Sequence, residues 1–260
     1  MSDAAVLLFG ATNAVGPYLL AQSAQPVLAL SRKPQTQPSR HQWRQSDFAR
    51  FQPQSTPQCI LNCSALDALV DWLMRTQCRP AQIVALSSLS AVWKLTSPDA
   101  GERALVERLL AAETALTHYC RKHRIQLVVL RASLIWGAGR DHSLTPMARL
   151  AQRWRLLPSP ALEGGARAPI HGRDLAACML AALMQRQPML QLAIQGGEVL
   201  SMKALLQRVA SSVKASTIPL PNFCVETGLQ LGRRLGIASG TGAWHRYRQA
   251  QVIEDGGDAK

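Results

Sequence analysis

Gly10 and Gly16 stand six residues apart, behind an apolar run, Ala4–Phe9, and ahead of a helix-like segment, Tyr18–Ser23. Strand, glycine turn and helix in that order bring backbone N–H groups together at a helix N-terminus, where they are unpaired and the helix dipole favours negative charge. The chemistry open to such a turn is to hold a pyrophosphate. The stretch Gly10-Ala11-Thr12-Asn13-Ala14-Val15-Gly16 has the spacing of a dinucleotide-binding unit. Gly10 lets the chain turn sharply, and Gly16 lets the helix pack close on the strand. Asn13 replaces the usual middle glycine. Asn is among the few residues that accept positive φ, so the turn is expected to survive through that conformation. The plain alternative is a β–turn–α unit without a ligand.

A second group suited to phosphate follows the next strand, which ends Ala29-Leu30-Ser31-Arg32-Lys33. In dinucleotide folds an acid at this strand end binds the ribose 2′-OH of NAD, and a basic residue accommodates the 2′-phosphate of NADP. Arg32 and Lys33 are adjacent cations with no acid beside them, and Arg can grip phosphate bidentately. The sequence therefore predicts NADP(H) in preference to NAD(H).

These groups need a scaffold, and the chain supplies a repeating one. Strand-like runs at Val6–Phe9, Val27–Leu30, Cys59–Leu61, Ile83–Leu86, Leu127–Leu130 and Leu192–Ile194 alternate with helical patterns. Ala65–Arg75 is apolar at Leu66, Leu69, Val70 and Leu73, and Gly101–His123 is the longest helix candidate, started by Pro98-Asp99. Such alternation predicts an α/β protein with a Rossmann-like, doubly wound parallel sheet of about seven strands. After Trp136 the pattern changes. Helices are expected at Leu144–Leu156 and 201–213, loops at Pro158–Pro160 and Gly164-Gly165, and turns with short helices from 216 onward. The expected division is residues 1–136 and 168–197 for the dinucleotide domain, with 137–167 and 198–260 forming a small substrate lobe over the strand carboxyl ends. The tail Glu254–Lys260 is polar and is expected to fray.

Composition narrows the class. At 260 residues and 47% hydrophobic, the chain fits one large α/β domain, or such a domain with a small second lobe. No run approaches the ~18 uncharged apolar residues of a membrane span. The N-terminus lacks the basic region of a signal peptide. Six scattered cysteines without a CxxC pair suit small buried thiols in a reducing compartment, which points to the cytoplasm and to no metal site. The net charge of +13 is concentrated between Lys203 and Arg248, which hold seven Lys or Arg against Glu226 alone. That field favours anionic partners, an anionic small molecule first among them; the plain alternative is a solvated basic surface that aids solubility. Trp244–Arg248 could stack on nucleic acid, but one cluster without a known binding fold makes nucleic acid an unlikely partner. An anionic lipid surface is the remaining minor alternative.

Together the motifs resemble the short-chain dehydrogenase/reductase superfamily, in its extended or atypical branch of NAD-dependent epimerase/dehydratase-like proteins. Gly10–Gly16 looks like the family's GATGxxG, and Asp47-Phe48 like its adenine-contacting pair. Asn62-Cys63-Ser64-Ala65 looks like the loop over the cofactor, and Leu86–Trp93 like the fifth-strand segment that ends in Val-Tyr. Leu130–Gly139 is similar to LRPxxVYGxG, and Gly165–Leu175 to GxRxxxHVxDL. The resemblance implies cofactor contacts from residues 10–16 and 31–33, and from Asp47, Phe48, Cys63, Ser64, Ser87 and Ser133. It implies contacts from Arg131 and Arg167 to an anionic or nucleotide-linked substrate, a structural role for His171 and Asp174, and a homodimer through helices 65–75 and 101–122. The catalytic pair departs from the family. Its Tyr-x-x-x-Lys falls on Leu105 and Leu109, and its Ser/Thr position falls on Leu89 between Ser88 and Ser90. Leucines shuttle no protons, so Ser88 and Ser90 are left as catalytic candidates, with Ser87, Trp93 and Lys94 near by. Two readings follow: an NADP(H)-dependent oxidoreductase or epimerase with a divergent site, or a non-catalytic NADP(H)-binding sensor or assembly partner.

Overall fold

Apolar runs too short for buried helices and separated by amphipathic stretches form the strands of a parallel sheet. In a computed structural model, which describes residues 5–35, 40–185, 187–234 and 240–253, the elements follow in this order. The first half runs β1 (Val6–Phe9), α1 (Gly16–Gln22), β2 (Val27–Ser31), β3 (Gln42–Gln45), β4 (Cys59–Asn62), α2 (Leu66–Thr76), β5 (Gln82–Ser88), α3 (Ala91–Lys94), α4 (Ala100–His123) and β6 (Gln126–Ala132). The second half runs β7 (Ile135–Trp136), α5 (Leu144–Trp154), β8 (Leu156–Pro160), β9 (Ala166–Arg167), β10 (Ile170–His171), α6 (Gly172–Ala182), β11 (Met189–Ile194), β12 (Leu200–Ser201), α7 (Met202–Ser212), β13 (Ser216–Leu220), α8 (Asn222–Arg234) and α9 (Gly240–Arg248). The tail expected to fray, Glu254–Lys260, lies outside the described residues.

The chain divides into two compact units. The first comprises Met1–Leu89, Arg108–Ala132 and His171–Ile194, and the second Ser90–Glu107, Ser133–Ile170 and Gln195–Lys260. The segment Ser90–Glu107 thus groups with the second unit, whereas the sequence reading kept it with the sheet.

The first unit is built on a seven-stranded sheet of order β11-β6-β5-β4-β1-β2-β3, parallel throughout. From β1 the chain steps one way to β2 and β3, then returns to β4 on the other side. The carboxyl ends of β1 and β4 therefore flank the point where the winding reverses. One main core includes Leu7, Phe9, Ile60, Ile83, Leu127 and Val129 from the strands, and Leu69, Trp72, Leu73, Leu116 and Cys120 from α2 and α4. Part of the apolar surface of α2 and α4 is buried in this core, while Met74 of α2 and Leu105 of α4 stay exposed.

Inside this unit a carboxylate is buried. Glu113 of α4 is 5% exposed. Its oxygens accept from the Ser87 hydroxyl at the end of β5, from Arg131 Nη2 of β6 at 2.5 Å and Nε at 3.3 Å, and from Gln191 Nε2 of β11 at 3.0 Å.

In the second unit a smaller core joins Leu144, Ala151, Leu157, Leu205, Leu206, Val209, Ala210 and Tyr247. β8 and β13 pair in parallel, from Ser216 beside Leu156 to Leu220 beside Pro160. The strand β13 is a correction to the turns and short helices expected after 216. Asp141 organises the entry to α5: its Oδ1 accepts from the N–H groups of Ser143 (3.0 Å), Leu144 (2.6 Å) and Thr145 (2.9 Å).

Two outcomes are expected. Removing the buried acid by Glu113→Ala leaves the Arg131 guanidinium without its counter-ion, and denaturant unfolding should show a loss of about 3 kcal/mol. Asp141→Ala should cost about 1 kcal/mol, the usual worth of such a cap. Burial raises the Asp141 pKa, but the bonds from Thr145, Ser143 and Leu144 outweigh it and the net shift is downward. A depressed folded-state value means the contribution is present above the ordinary carboxylate range and fades as pH falls through the lowered value. The stability difference between wild type and Asp141→Ala should therefore shrink in acid, and a difference that grew would contradict this assignment.

Candidate functional site

The parallel sheet gathers most of the sequence-predicted residues along one edge. Gly10–Gly16 follow β1, Ser31–Lys33 end β2, Asp47 and Phe48 follow β3, Cys63 and Ser64 follow β4, and Ser87 and Ser88 end β5. Ser90, Ser133 and Arg167 belong to the second unit, and Arg131 lies within β6.

Gly10 has φ +78°, a left-handed conformation that favours glycine. A Cβ there would sit 2.9 Å from the carbonyl carbon of Cys63 and 3.0 Å from Asn13 Nδ2. Asn13 does not take the positive φ expected of it and is absent from the left-handed residues. It preserves the turn with its side chain instead. Oδ1 accepts from the N–H groups of Val15 and Gly16, both at 2.9 Å, while Nδ2 donates to the carbonyl of Cys63. A non-glycine residue at this place thus forms a local side-chain-to-backbone turn and does not strain the backbone.

At the end of β2, Ser31 is buried and its Oγ accepts from the Lys33 N–H at 3.2 Å and from Gln35 Nε2 at 3.3 Å. This turn presents Arg32 and Lys33 as exposed side chains. After β3, Asp47 Oδ1 accepts the Arg50 N–H at 2.9 Å. Phe48 stacks on Phe9 with ring centroids 4.2 Å apart, so at least one face of its ring packs against the core. After β4, Ser64 exchanges bonds with the Asn62 side chain, and Cys63 lies with its sulfur 3.6 Å from Met179 Sδ. Burial pushes the Cys63 thiol well up, so it stays a thiol. Ser87, as described, is bonded to Glu113.

The groups expected to meet substrate are engaged within the chain. Arg131 is held by Glu113. Arg167 is 5% exposed, and its guanidinium donates to the carbonyls of Ala166 (2.8 Å), Gln249 (2.6 Å) and Arg246. Burial pulls its pKa down to about 10, with Tyr247 opposing the shift. Ser133 Oγ donates to the Ala168 carbonyl at 2.6 Å. The long helix carries Leu105, 49% exposed, and Leu109, packed against the main core, so neither place offers a proton.

Ser88 ends β5, and Ser90 precedes the short helix α3, which ends at Lys94. Burial lowers the Lys94 pKa, and the charge of Arg246 lowers it further. Ser90 and Lys94 are one helical turn apart, the spacing at which side chains share a face. Sequence reasoning named this lysine by position alone, because its depressed pKa comes first from burial and then from the distant Arg246, both set by the fold.

The second unit also contains an open cavity of about 690 Å³ lined by Pro98, Glu226, Gln230, Trp244, His245, Arg248 and Gln249. Trp244 stacks on Tyr247 at 5.3 Å and donates from Nε1 to Glu226 at 3.3 Å. The buried atoms His245 Nδ1 and Gln249 Oε1 have no hydrogen-bond partner among the described residues. Of the aromatic-basic cluster, Tyr247 is buried with its hydroxyl on the Leu162 carbonyl, and Arg246 pairs with Glu102. Only Arg248 of the five is exposed. All six cysteines are free thiols. Among the described residues no group of three His, Cys, Asp or Glu is placed to hold a metal ion, and no helix is long and apolar enough to cross a membrane.

No family model matches the chain, and no curated protein does. Solved structures do. A UDP-N-acetylglucosamine 4-epimerase from Bacillus cereus aligns with TM-score 0.65 at 16% identity, over 83% of this chain and 84% of that one. The UDP-glucose 4-epimerase of Thermus thermophilus, solved with NAD, aligns with TM-score 0.61 at 17% identity, over 83% and 86%. An NAD-dependent NDP-hexosamine 5,6-dehydratase involved in tunicamycin biosynthesis aligns with TM-score 0.64 at 12% identity, over 83% and 84%. The chain shares with these structures a Rossmann-like α/β fold built on a parallel sheet.

Proposed function

We propose that this chain is an oxidoreductase or epimerase of the short-chain dehydrogenase/reductase type that binds NADP(H) in preference to NAD(H) and acts on an anionic, nucleotide-linked small molecule. The observation that carries the reading is the edge of the sheet at the winding reversal. There a glycine turn aims the backbone N–H groups of Val15 and Gly16 at one oxygen, the side-chain Oδ1 of Asn13, in the place a phosphate oxygen would take. Two N–H donors converging on one oxygen suit a phosphate oxygen. Two exposed cations, Arg32 and Lys33, stand at the end of the neighbouring strand β2, where a 2′-phosphate is read. The donor set therefore fits the cofactor, with residues 10–16 holding its pyrophosphate and Arg32 and Lys33 its 2′-phosphate. When bound, a nicotinamide supplies hydride transfer. Free cysteines suit a reducing cytoplasm.

The rest of the chemistry falls to this chain's own side chains. Leu105 and Leu109 move no proton. We assign proton exchange to Lys94 beside Ser90, because a lysine with a depressed pKa trades its proton nearer neutrality than an ordinary one. With Arg131 and Arg167 both engaged, the cavity around Trp244, His245 and Arg248 is the better candidate for the anionic substrate. It offers an aromatic face, a cation and two buried polar atoms without partners among the described residues. The leucines on α4 also favour the second reading, a non-catalytic NADP(H)-binding sensor or assembly partner.

Calorimetric titration of the cofactor-free protein tests the cofactor. NADPH should bind more tightly than NADH. Arg32→Ala should weaken NADPH by about 10-fold, the worth of one lost charge-assisted bond, and leave NADH within about 2-fold. Equal affinity for the two cofactors, unchanged in Arg32→Ala, would refute the NADP(H) preference. Turnover with a panel of nucleotide sugars and carbonyls tests the proton donor. Lys94→Met should lower kcat by about 100-fold or more. If Lys94 acts as an acid, wild-type activity should fall at alkaline pH with a midpoint below the ordinary lysine value, and Lys94→Arg, whose guanidinium keeps its proton, should not restore turnover. Cofactor binding without turnover of any panel member would favour the sensor reading. A Lys94→Met variant as fast as wild type would remove the lysine from the mechanism.

A further inference from the structure

In parallel α/β sheets the ligand crevice opens where the winding reverses, here between the carboxyl ends of β1 and β4. In this chain that crevice is bridged by a side chain. Asn13, in the turn after β1, donates from Nδ2 to the carbonyl of Cys63, the first residue after β4. The same carboxamide turns its oxygen onto the N–H groups of Val15 and Gly16 at 2.9 Å. The neighbouring donors are also engaged. The Asn13 N–H bonds the Gly10 carbonyl at 3.2 Å, and Pro17 has no N–H. Tyr18 and Leu19 both donate to the Val15 carbonyl, at 3.0 and 3.1 Å. The backbone around the bridge is tight, since a Cβ on Gly10 would meet Cys63 and Asn13 together.

Building on the cofactor reading above, we infer that Asn13 is an internal plug of the dinucleotide site. Its amide oxygen stands in for a phosphate oxygen of the pyrophosphate, and its amide nitrogen fastens the plug to the opposite strand. A dinucleotide enters only when the side chain rotates away from Val15, Gly16 and Cys63. Binding then pays for three broken hydrogen bonds, so the wild-type protein holds its cofactor more weakly than the donor set alone would allow. Asn13 is a positioning residue. It touches the groups that hold the cofactor and takes no part in hydride or proton transfer.

Three chains separate the possibilities: wild type, Asn13→Ala and Asn13→Asp. Alanine removes the plug and fits the φ at this position, which is not left-handed. Aspartate keeps an acceptor for Val15 and Gly16, loses the donor to Cys63 and places a negative charge where the pyrophosphate must lie. NADPH and NADH affinities are read by calorimetry, and exchange of the Val15 and Gly16 amide hydrogens by mass spectrometry or NMR. Asn13→Ala should bind NADPH about 10-fold or more tightly than wild type, and Asn13→Asp more weakly. Without cofactor, the two amides should exchange slowly in wild type and rapidly in Asn13→Ala, and NADPH should restore their protection. Wild-type binding that Asn13→Ala leaves unchanged or weakens overturns the plug and leaves the cofactor reading standing. Binding of neither cofactor by either chain overturns both, because removing a plug must open a real site.

Discussion

A carboxylate buried to the extent of Glu113 is tolerable only if every lone pair it withdraws from water finds a donor. The main unit is arranged so that this happens. The acid comes from α4, and its donors come from three parallel strands, β5, β6 and β11. Ser87 and Arg131 are register partners across β5 and β6, so a slip of one residue would swing both away from the acid. The interaction therefore fixes strand register and helix placement together, which apolar packing alone does less sharply. A guanidinium committed to a buried carboxylate is costly to redirect toward a ligand.

Arg167 plays a comparable part in the second unit, with backbone carbonyls in place of an acid. Its fork collects the carbonyls of Ala166, Arg246 and Gln249, and so ties the residues after α9 back to the short strand β9. The carbonyls of Arg246 and Gln249 lie at the end of α9, where backbone acceptors lack intrahelical partners. Burial with partial dipoles but no full counter-charge is why the pKa falls to about 10. Part of the cationic charge is therefore structural. Arg131, Arg167 and Arg246 hold the chain together, and the cations left for an anionic ligand are fewer, Arg32, Lys33 and Arg248 among them.

What could be read from the chain follows the range of the interaction. Strands made of apolar runs were legible, because burial on both faces of a parallel sheet writes itself as consecutive Val, Leu and Ile. The edge strand β3, Gln-Trp-Arg-Gln, carries no such signal and was found only by its pairing with β2. The strand β13 was hidden for a similar reason, since Ser-Thr-Ile-Pro-Leu is mostly solvent-facing and contains a proline. In the site, Gly10 and the cations after β2 were legible because the turn is local. The bridge from Asn13 to Cys63 spans 50 residues, and Glu113 to Arg131 spans 18, so the partner of each group depends on how the strands are ordered. Asn13 in particular suggested a backbone solution, positive φ, where the fold uses a side-chain one.

The glycine motif itself needs weighing with the same care. A Cβ at Gly16 would lie 2.4 Å from the carbonyl carbon and oxygen of Ala11. No side chain fits there, whether or not a ligand ever arrives, because the turn after β1 folds back against the start of α1. Gly10 is bound in the same way by its φ and by the nearness of Cys63. These glycines are therefore demands of the fold and persist even if the chemistry changes. The informative positions are those the fold leaves free: Asn13, the exposed Arg32 and Lys33, and the leucines on α4. Under the reading proposed above, the cations after β2 would meet a phosphate, Asn13 would govern access to the turn, and the leucines on α4 leave proton transfer to other side chains.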